Sequence, residues 1–280
     1  MKVFVSGSEG LIGKAVCGLL TSCGHVPIGF DIQTGADILD PLEVNAAAAE
    51  CDAIIHCAAL LTMPGQTSSD IMTTNLLGTW NVLQTAAARH INKVVFLSSV
   101  DVLGVFKGEK SPDFLPLGES HPCYPTTPYG ISKYLGEQIC RRVASATSLS
   151  IVCLRPPGVW ESVTYEWVAS ERQKRPEFEW DPFWEYGAFI DVRDLAAACL
   201  AALEPSVVGF HTLFVSANDI TTSGATSYEL CQRIHPDVSW LAGNEYIVEP
   251  YRTLLRNDAA QKVLNWQPIH SWRNFRDRNE

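Results

Sequence analysis

The stretch Val3-Phe4-Val5-Ser6-Gly7-Ser8-Glu9-Gly10-Leu11-Ile12-Gly13 decides the fold. Its apolar start reads as a buried strand, its glycines as a tight turn, and the pattern over 11–20 as a helix. Gly7 allows the turn, Gly10 lets backbone approach a pyrophosphate closely, and Gly13 lets the helix pack on the strand. The helix start then offers free N–H groups and the positive end of a dipole to an anion. Glycines at GxxGxxG spacing are weak evidence alone, since a structural turn needs them too. A strand before and a helix after them point to dinucleotide binding.

Outward from this turn, β-rich runs at 26–31, 53–57, 93–98 and 150–154 alternate with helical patterns at 42–50, 71–89 and 128–146. Strands this apolar are buried on both faces. The chain is therefore expected to be α/β, a doubly wound parallel sheet of Rossmann type. The alternation breaks after Arg155-Pro156-Pro157-Gly158, returns as strand and helix over 189–203, and adds a strand near 210–216. This places a cofactor domain at 1–158, with 187–216 returning to it, and a smaller C-terminal substrate lobe at 159–186 and 217–280.

Bulk properties narrow the partners. A net charge of −10 disfavours nucleic acid and anionic membranes. No apolar run approaches the roughly 20 residues of a membrane span. Met1-Lys2 leads into a short apolar run and then the glycine turn, unlike a secretory signal. Nine scattered cysteines, an odd count with no CxxC pair, read as reduced thiols of a cytosolic protein. No His/Cys cluster has metal-ligand spacing, so no metal is expected.

Asp31 ends the second β-run, where a carboxylate would accept both hydroxyls of an adenosine ribose and repel a 2′-phosphate. NAD is thus expected over NADP. Tyr129 and Lys133 are four apart and share a helix face. That helix has Thr127 as its cap and Pro128 in its first turn. An ammonium beside a phenol stabilises the phenolate, so Tyr129 is expected to exchange a proton with a substrate oxygen near neutral pH. A YxxxK spacing is common on exposed helix faces; its weight comes from following the fourth strand. Ser98-Ser99 ends that strand, where the carboxyl ends face the ligand crevice, so Ser99 is expected to hydrogen-bond the reacting oxygen.

Together these residues resemble the extended short-chain dehydrogenase/reductase family, the NAD-dependent epimerase/dehydratase group, over nearly the whole chain. Gly7-x-x-Gly10-x-x-Gly13 matches its glycine motif. Asp37-Ile38-Leu39-Asp40 resembles its adenine-contacting DxxD, and His56-Cys57-Ala58-Ala59 its HxAA. The run from Asn75 through Gly78-Thr79 to Asn81-Val82-Leu83 is similar to NxxGTxNVL, and Ser98-Ser99-Val100-Asp101-Val102-Leu103-Gly104 to SSxxVYG. Phe189-Ile190-Asp191-Val192-Arg193-Asp194-Leu195-Ala196 resembles FIxVxDxA, and Leu264-Asn265-Trp266-Gln267-Pro268 the terminal LGWxP. The resemblance implies catalysis by Ser99, Tyr129 and Lys133. It implies cofactor contacts from Gly7, Glu9, Gly10, Leu11, Ile12, Gly13, Asp31, Ile32, Asp37, Ile38, Ala58, Ala59, Asn75, Ser98, Tyr129, Lys133 and Pro156. It also implies a homodimer through the helices near 71–89 and 128–146.

The chain departs from the pattern in three places. The tyrosine of VYG is Leu103. Members acting on nucleotide sugars usually carry Asn where this chain has Gly158. They also often carry Arg before the FIxVxD strand, where this chain has Tyr186, Gly187 and Ala188. A diphosphate would lose charge-assisted hydrogen bonds at both places. Nine aromatics fall within 160–189 instead, either to stack on a sugar or apolar ligand, or to form a compact hydrophobic lobe or subunit contact. Arg172, Lys174 and Arg175 nearby either reach an anion or are solvated surface.

The expected activity is NAD-dependent hydride transfer at a carbinol carbon of a sugar or sugar-like small molecule, as an epimerase or a dehydrogenase. Ser99-Val100-Asp101 lacks the Asp-Glu pair usual in the family's dehydratases, which ranks dehydration lowest. The alternatives are a dehydrogenase or reductase of a non-sugar alcohol or ketone, and a non-enzymatic NAD sensor. The sensor reading is disfavoured because Ser99, Tyr129 and Lys133 are all present.

Overall fold

The computed structural model describes residues 1–106, 110–175, 182–222 and 224–276. The first half contains β1 (Lys2–Ser6), α1 (Leu11–Ser22), β2 (Val26–Phe30), α2 (Pro41–Ala47), β3 (Ala53–His56), α3 (Ser68–Met72), α4 (Gly78–Ala88) and β4 (Lys93–Leu97). Then come β5 (Phe114–Leu115), α5 (Pro128–Ala146), β6 (Ser150–Arg155), β7 (Val159–Trp160), α6 (Ser162–Lys174), β8 (Ile190–Asp191), α7 (Val192–Ala201) and β9 (Phe210–Phe214). The C-terminal part holds α8 (Ser227–Ile234), β10 (Ser239–Trp240), α9 (Glu245–Val248), α10 (Asp258–Leu264) and α11 (Trp272–Arg276).

Six parallel strands form the main sheet in the order β2-β1-β3-β4-β6-β9. Side chains alternate between its two faces. Val3, Val5, Ile55 and Val95 pack with Val16 and Leu20 of α1 and with Leu195 and Cys199 of α7. Phe4, Ile54, Val94 and Phe96 meet Val82 and Leu83 of α4 and Cys140 and Val143 of α5 on the other face. The doubly wound arrangement expected from the sequence is therefore present. The order of winding reverses between β1 and β3, so a crevice opens at their carboxyl ends. Gly7, Asp31, Ala58, Ser98 and Pro156 each lie just beyond a strand end that faces it.

Local chemistry starts the helices where expected. Asp40 accepts the amides of Leu42 and Glu43 ahead of α2, Thr67 and Asp70 form a capping box on α3, and Thr127 accepts Gly130 N above Pro128 in α5. Each such cap contributes about 1 kcal/mol. One expectation fails: the helix read over 71–89 is interrupted by a π turn at Thr73–Leu77. The turn carries Asn75, whose side chain grips the loop after β3, and this tertiary bond outweighs helical regularity. The helix read over 42–50 also stops early, at Ala47.

The sequence places all of 1–158 in the cofactor domain. In the structure β5 pairs with β10, and Leu117 N donates to Leu254 O, so this short segment joins the C-terminal elements. The described aromatics of 160–189 are mostly core. Trp160, Tyr165 and Phe189 cluster with Trp272, and Tyr186 is buried against Phe106; Trp167 is exposed. Phe178 and Trp180 lie outside the described residues. All nine cysteines are free thiols, with Cys140, Cys153, Cys199 and Cys231 buried and Cys23 exposed. No helix of the described residues is long and apolar enough to cross a membrane.

Candidate active site

The crevice has two halves, of about 420 and 450 Å³, which share Gly7, Gly10, Cys57 and Ala59. Together they are large enough for a dinucleotide. The glycines at the junction are sterically required. Gly7 has φ +72°, and a Cβ there would stand 2.7 Å from Ala58 N. A Cβ on Gly13 would stand 2.0 Å from Gly7 O. Gly10 caps α1 without a side-chain hydrogen bond, so the first-turn amides of α1 stay open to an anion, as a pyrophosphate requires.

One half suits an adenosine. Asp31 is buried and accepts Glu9 N at 3.0 Å and Gln33 N at 2.9 Å, which fixes its carboxylate at the wall. Ile32, Asp37, Ile38, Ala58 and Ala59 wall the same half. The Asp37 carboxylate accepts Leu39 N at 2.9 Å. Asn81 Nδ2 donates to the carbonyls of Ile38 and Leu39, and Gly78 leaves room for Ile38 to pack against α4. The NxxGTxN run thus shapes this half from behind.

The other half brings together Leu11, Ile12, Gly13, Ser98, Ser99, Tyr129, Lys133 and Pro156. Ser99 Oγ accepts Asp101 N at 3.1 Å, and Ser99 lies in the same half as the Tyr129 phenol. Lys133 is buried, and its Nζ donates to Leu97 O at 2.6 Å, at the end of β4. That nitrogen lies 5.7 Å from the Tyr129 ring centroid. Burial pushes the Lys133 ammonium down to about 8. Burial raises the Tyr129 phenol well above its ordinary range, the Asp101 charge raises it further, and Ser99 pulls it partly back. The direction is opposite to the lowering expected from the Tyr-Lys spacing, because burial is the largest influence on the phenol.

Of the expected cofactor contacts, Glu9 and Asn75 border neither half, and Ser98 borders one while its side chain is engaged behind the wall. Ser98 Oγ donates to Glu137 Oε1 at 2.6 Å, and Glu137 is paired with Arg155 by two further bonds in a buried cluster that ties α5 to β6. Asn75 borders neither half. Its amide holds Leu60 through both backbone groups and donates to Ser132 Oγ at 2.8 Å. The basic residues near the aromatic run also bind elsewhere. Arg172 is buried and donates to Thr221, while Lys174 and Arg175 pair with Glu171 at the surface. Among the wall residues that the sequence reading did not assign are two carboxylates, Asp101 and Glu185. Asp101 was signalled only by its place two residues after Ser99, and Glu185 lies in a run with no motif to mark it.

A family model for the NAD-dependent epimerase/dehydratase family matches residues 3–212. A UDP-glucose 4-epimerase of Rhizobium leguminosarum bv. trifolii is 29% identical over 95% of this chain and 92% of its own length. Among solved structures, a short-chain dehydrogenase/reductase superfamily protein from Agrobacterium tumefaciens with bound NAD superposes with a TM-score of 0.74 at 20% identity. That match covers 99% of this chain and 95% of the other. A UDP-glucose 4-epimerase from Thermotoga maritima, solved with UDP-glucose, gives 0.70 at 19% identity and covers all of both chains. With a family match over three quarters of its length, and a crevice whose glycines, helix start and Asp31 fit the dinucleotide, this chain belongs to the NAD-dependent epimerase/dehydratase family of extended short-chain dehydrogenases/reductases, enzymes whose cofactor is NAD.

Proposed function

We propose that the enzyme transfers hydride at a carbinol carbon of a sugar or sugar-like substrate, with Tyr129 as general acid and base. The observation that carries this reading is the meeting of Tyr129, Ser99 and Lys133 in one cavity that continues into the half walled by Asp31. Bound NAD supplies the hydride acceptor, or as NADH the donor. Ser99 hydrogen-bonds the reacting oxygen, Tyr129 takes its proton during oxidation and returns it during reduction, and the Lys133 ammonium supports the phenolate. Burial and the Asp101 charge favour the protonated phenol. A positive charge near the ring favours the phenolate instead.

The substrate lobe proposed is 159–186 with 217–280. We also propose a cytosolic homodimer through α4 and α5, where Leu77, Trp80 and Leu135 are exposed apolar side chains. Tyr129→Phe tests the chemistry. The variant is expected to bind NAD normally and to lose at least about a hundredfold in kcat. Turnover equal to wild type rejects the role. Release of NADH on turnover marks a dehydrogenase; product formation without it marks an epimerase.

A further inference from the structure

The end of β4 is fastened from behind, at two successive residues, by one helix. Lys133 and Glu137 are four apart on α5 and share a face. Lys133 Nζ donates to Leu97 O at 2.6 Å, and Ser98 Oγ donates to Glu137 Oε1 at 2.6 Å. Glu137 is in turn gripped by the last residue of β6. Arg155 donates Nε to its Oε1 at 2.8 Å and Nη2 to its Oε2 at 2.7 Å. Backbone bonds complete the join, from Ser98 N to Leu154 O and from Val100 N to Pro156 O. Ser98, Glu137 and Arg155 are all buried.

Stability alone does not account for this cluster. A buried ion pair loses much of its attraction to the cost of removing both charges from water, and an apolar pair of similar volume often holds a fold as well. What the bidentate pair adds is a fixed direction. It sets Glu137 Oε1 where the Ser98 hydroxyl meets it. Ser99 follows with extended backbone, at φ −160° and ψ 156°. Successive side chains of an extended chain point to opposite sides. Fastening Ser98 toward α5 therefore turns Ser99 the other way, into the cavity that also holds Tyr129. The phenol and the fastening carboxylate belong to the same helix, so both are carried on one rigid element.

We infer that Ser98, Glu137 and Arg155 are positioning residues, a buried unit that holds residues 97–99 against α5 and so sets Ser99 opposite Tyr129. Its consequence for turnover rests on the hydride-transfer reading; the placement of the segment does not.

Ser98→Ala deletes one hydrogen bond and leaves the ion pair whole. Thr147→Ala is its control, because Thr147 bonds Val143 O and Leu149 N at the far end of α5. A helix of that length puts it about 27 Å from Tyr129. With NAD bound, amide hydrogen exchange across 98–102 is expected to quicken about tenfold in Ser98→Ala and to keep the wild-type rate in Thr147→Ala. Unchanged exchange in Ser98→Ala overturns the inference, and this readout needs no turnover.

Kinetics then separate positioning from general weakening. Ser98→Ala is expected to lower kcat about tenfold, with substrate KM within about twofold of wild type. In a Ser99→Ala background the same change is expected to cost less than about twofold, because a residue acting through another loses its effect once that other is gone. Equal losses in both backgrounds overturn the inference. The double variant Glu137→Leu/Arg155→Met removes both charges together. It is expected to melt close to wild type while kcat falls at least about tenfold. Wild-type kcat in that variant overturns the inference as well. If Ser99→Ala turns over like wild type, the role given to Ser99 in hydride transfer fails, while the exchange rates still decide the positioning unit.

Discussion

Asn75 Nδ2 donates to Ser132 Oγ at 2.8 Å, and the Ser132 hydroxyl passes a bond of 2.7 Å to the carbonyl of Tyr129. The pair ends a buried polar chain that begins at the glycine turn. Ser6 Oγ is 2.6 Å from His56 Nδ1, His56 Nε2 is 3.0 Å from Thr79 Oγ1, and Thr79 donates to Asn75 O at 2.6 Å. The donors run in one direction only. Thr79 uses its proton on Asn75, so His56 Nε2 carries the hydrogen and Nδ1 accepts from Ser6. The glycine turn and the helix bearing Tyr129 are thus joined through side chains from β1, β3, α4, the π turn and α5.

Ser132→Ala is expected to lower kcat about tenfold through misplacement of Tyr129. It should also cost about 1–3 kcal/mol of stability by leaving the buried Asn75 donor one acceptor short. NAD affinity should change little. Thermal melting and steady-state kinetics check this, and an unchanged kcat with an unchanged Tm contradicts it.

His56 is buried with its imidazole neutral, and burial pushes its pKa down to about 3. The unfolded chain takes up that proton near pH ~6.5. Stability from the neutral ring is therefore full above about 6.5 and is lost as pH falls from there toward about 3. Urea midpoints of wild type should fall between about pH 6.5 and 5 more steeply than those of His56→Asn, which has no ring to protonate. Parallel curves would show that His56 does not carry the effect.

At Asp31 the wild type is expected to prefer NAD over NADP by at least about tenfold in kcat/KM, from repulsion of the 2′-phosphate. Asp31→Asn should narrow that ratio. It should also cost about 1 kcal/mol, because Glu9 N and Gln33 N lose a charged acceptor. Equal use of both cofactors by wild type contradicts the assignment.

The exposed Leu77 and Trp80 are three residues apart, and Leu135 lies on the neighbouring α5. Trp80→Glu is expected to convert a dimer into a folded monomer, read by light scattering alongside circular dichroism. A wild type that is monomeric at micromolar concentration would remove this interface from consideration.

Much of the fold is legible in local chemistry. The glycine spacing at 7, 10 and 13, the apolar strands and the Thr127-Pro128 helix start each act over a few residues, so they survive as patterns in a linear chain. The π turn does not. It is imposed by Asn75 reaching Leu60, fifteen positions away. The direction of the Tyr129 shift was also beyond reach, since it depends on how much water burial removes rather than on the Tyr-Lys spacing.

The amino-acid order alone determined the doubly wound sheet and its glycine turn, and pointed to Ser99, Tyr129 and Lys133 as residues of one site, because short-range periodicity and turn sterics act over a few residues. Tertiary packing decided which side chains line the cavity. It turned Ser98 toward Glu137, committed Trp160 and Tyr165 to a core, and set Glu185 at the cavity wall. The physical reason is that a side chain's role at a site depends on the dielectric and the partners around it, and both are supplied by segments far apart along the chain.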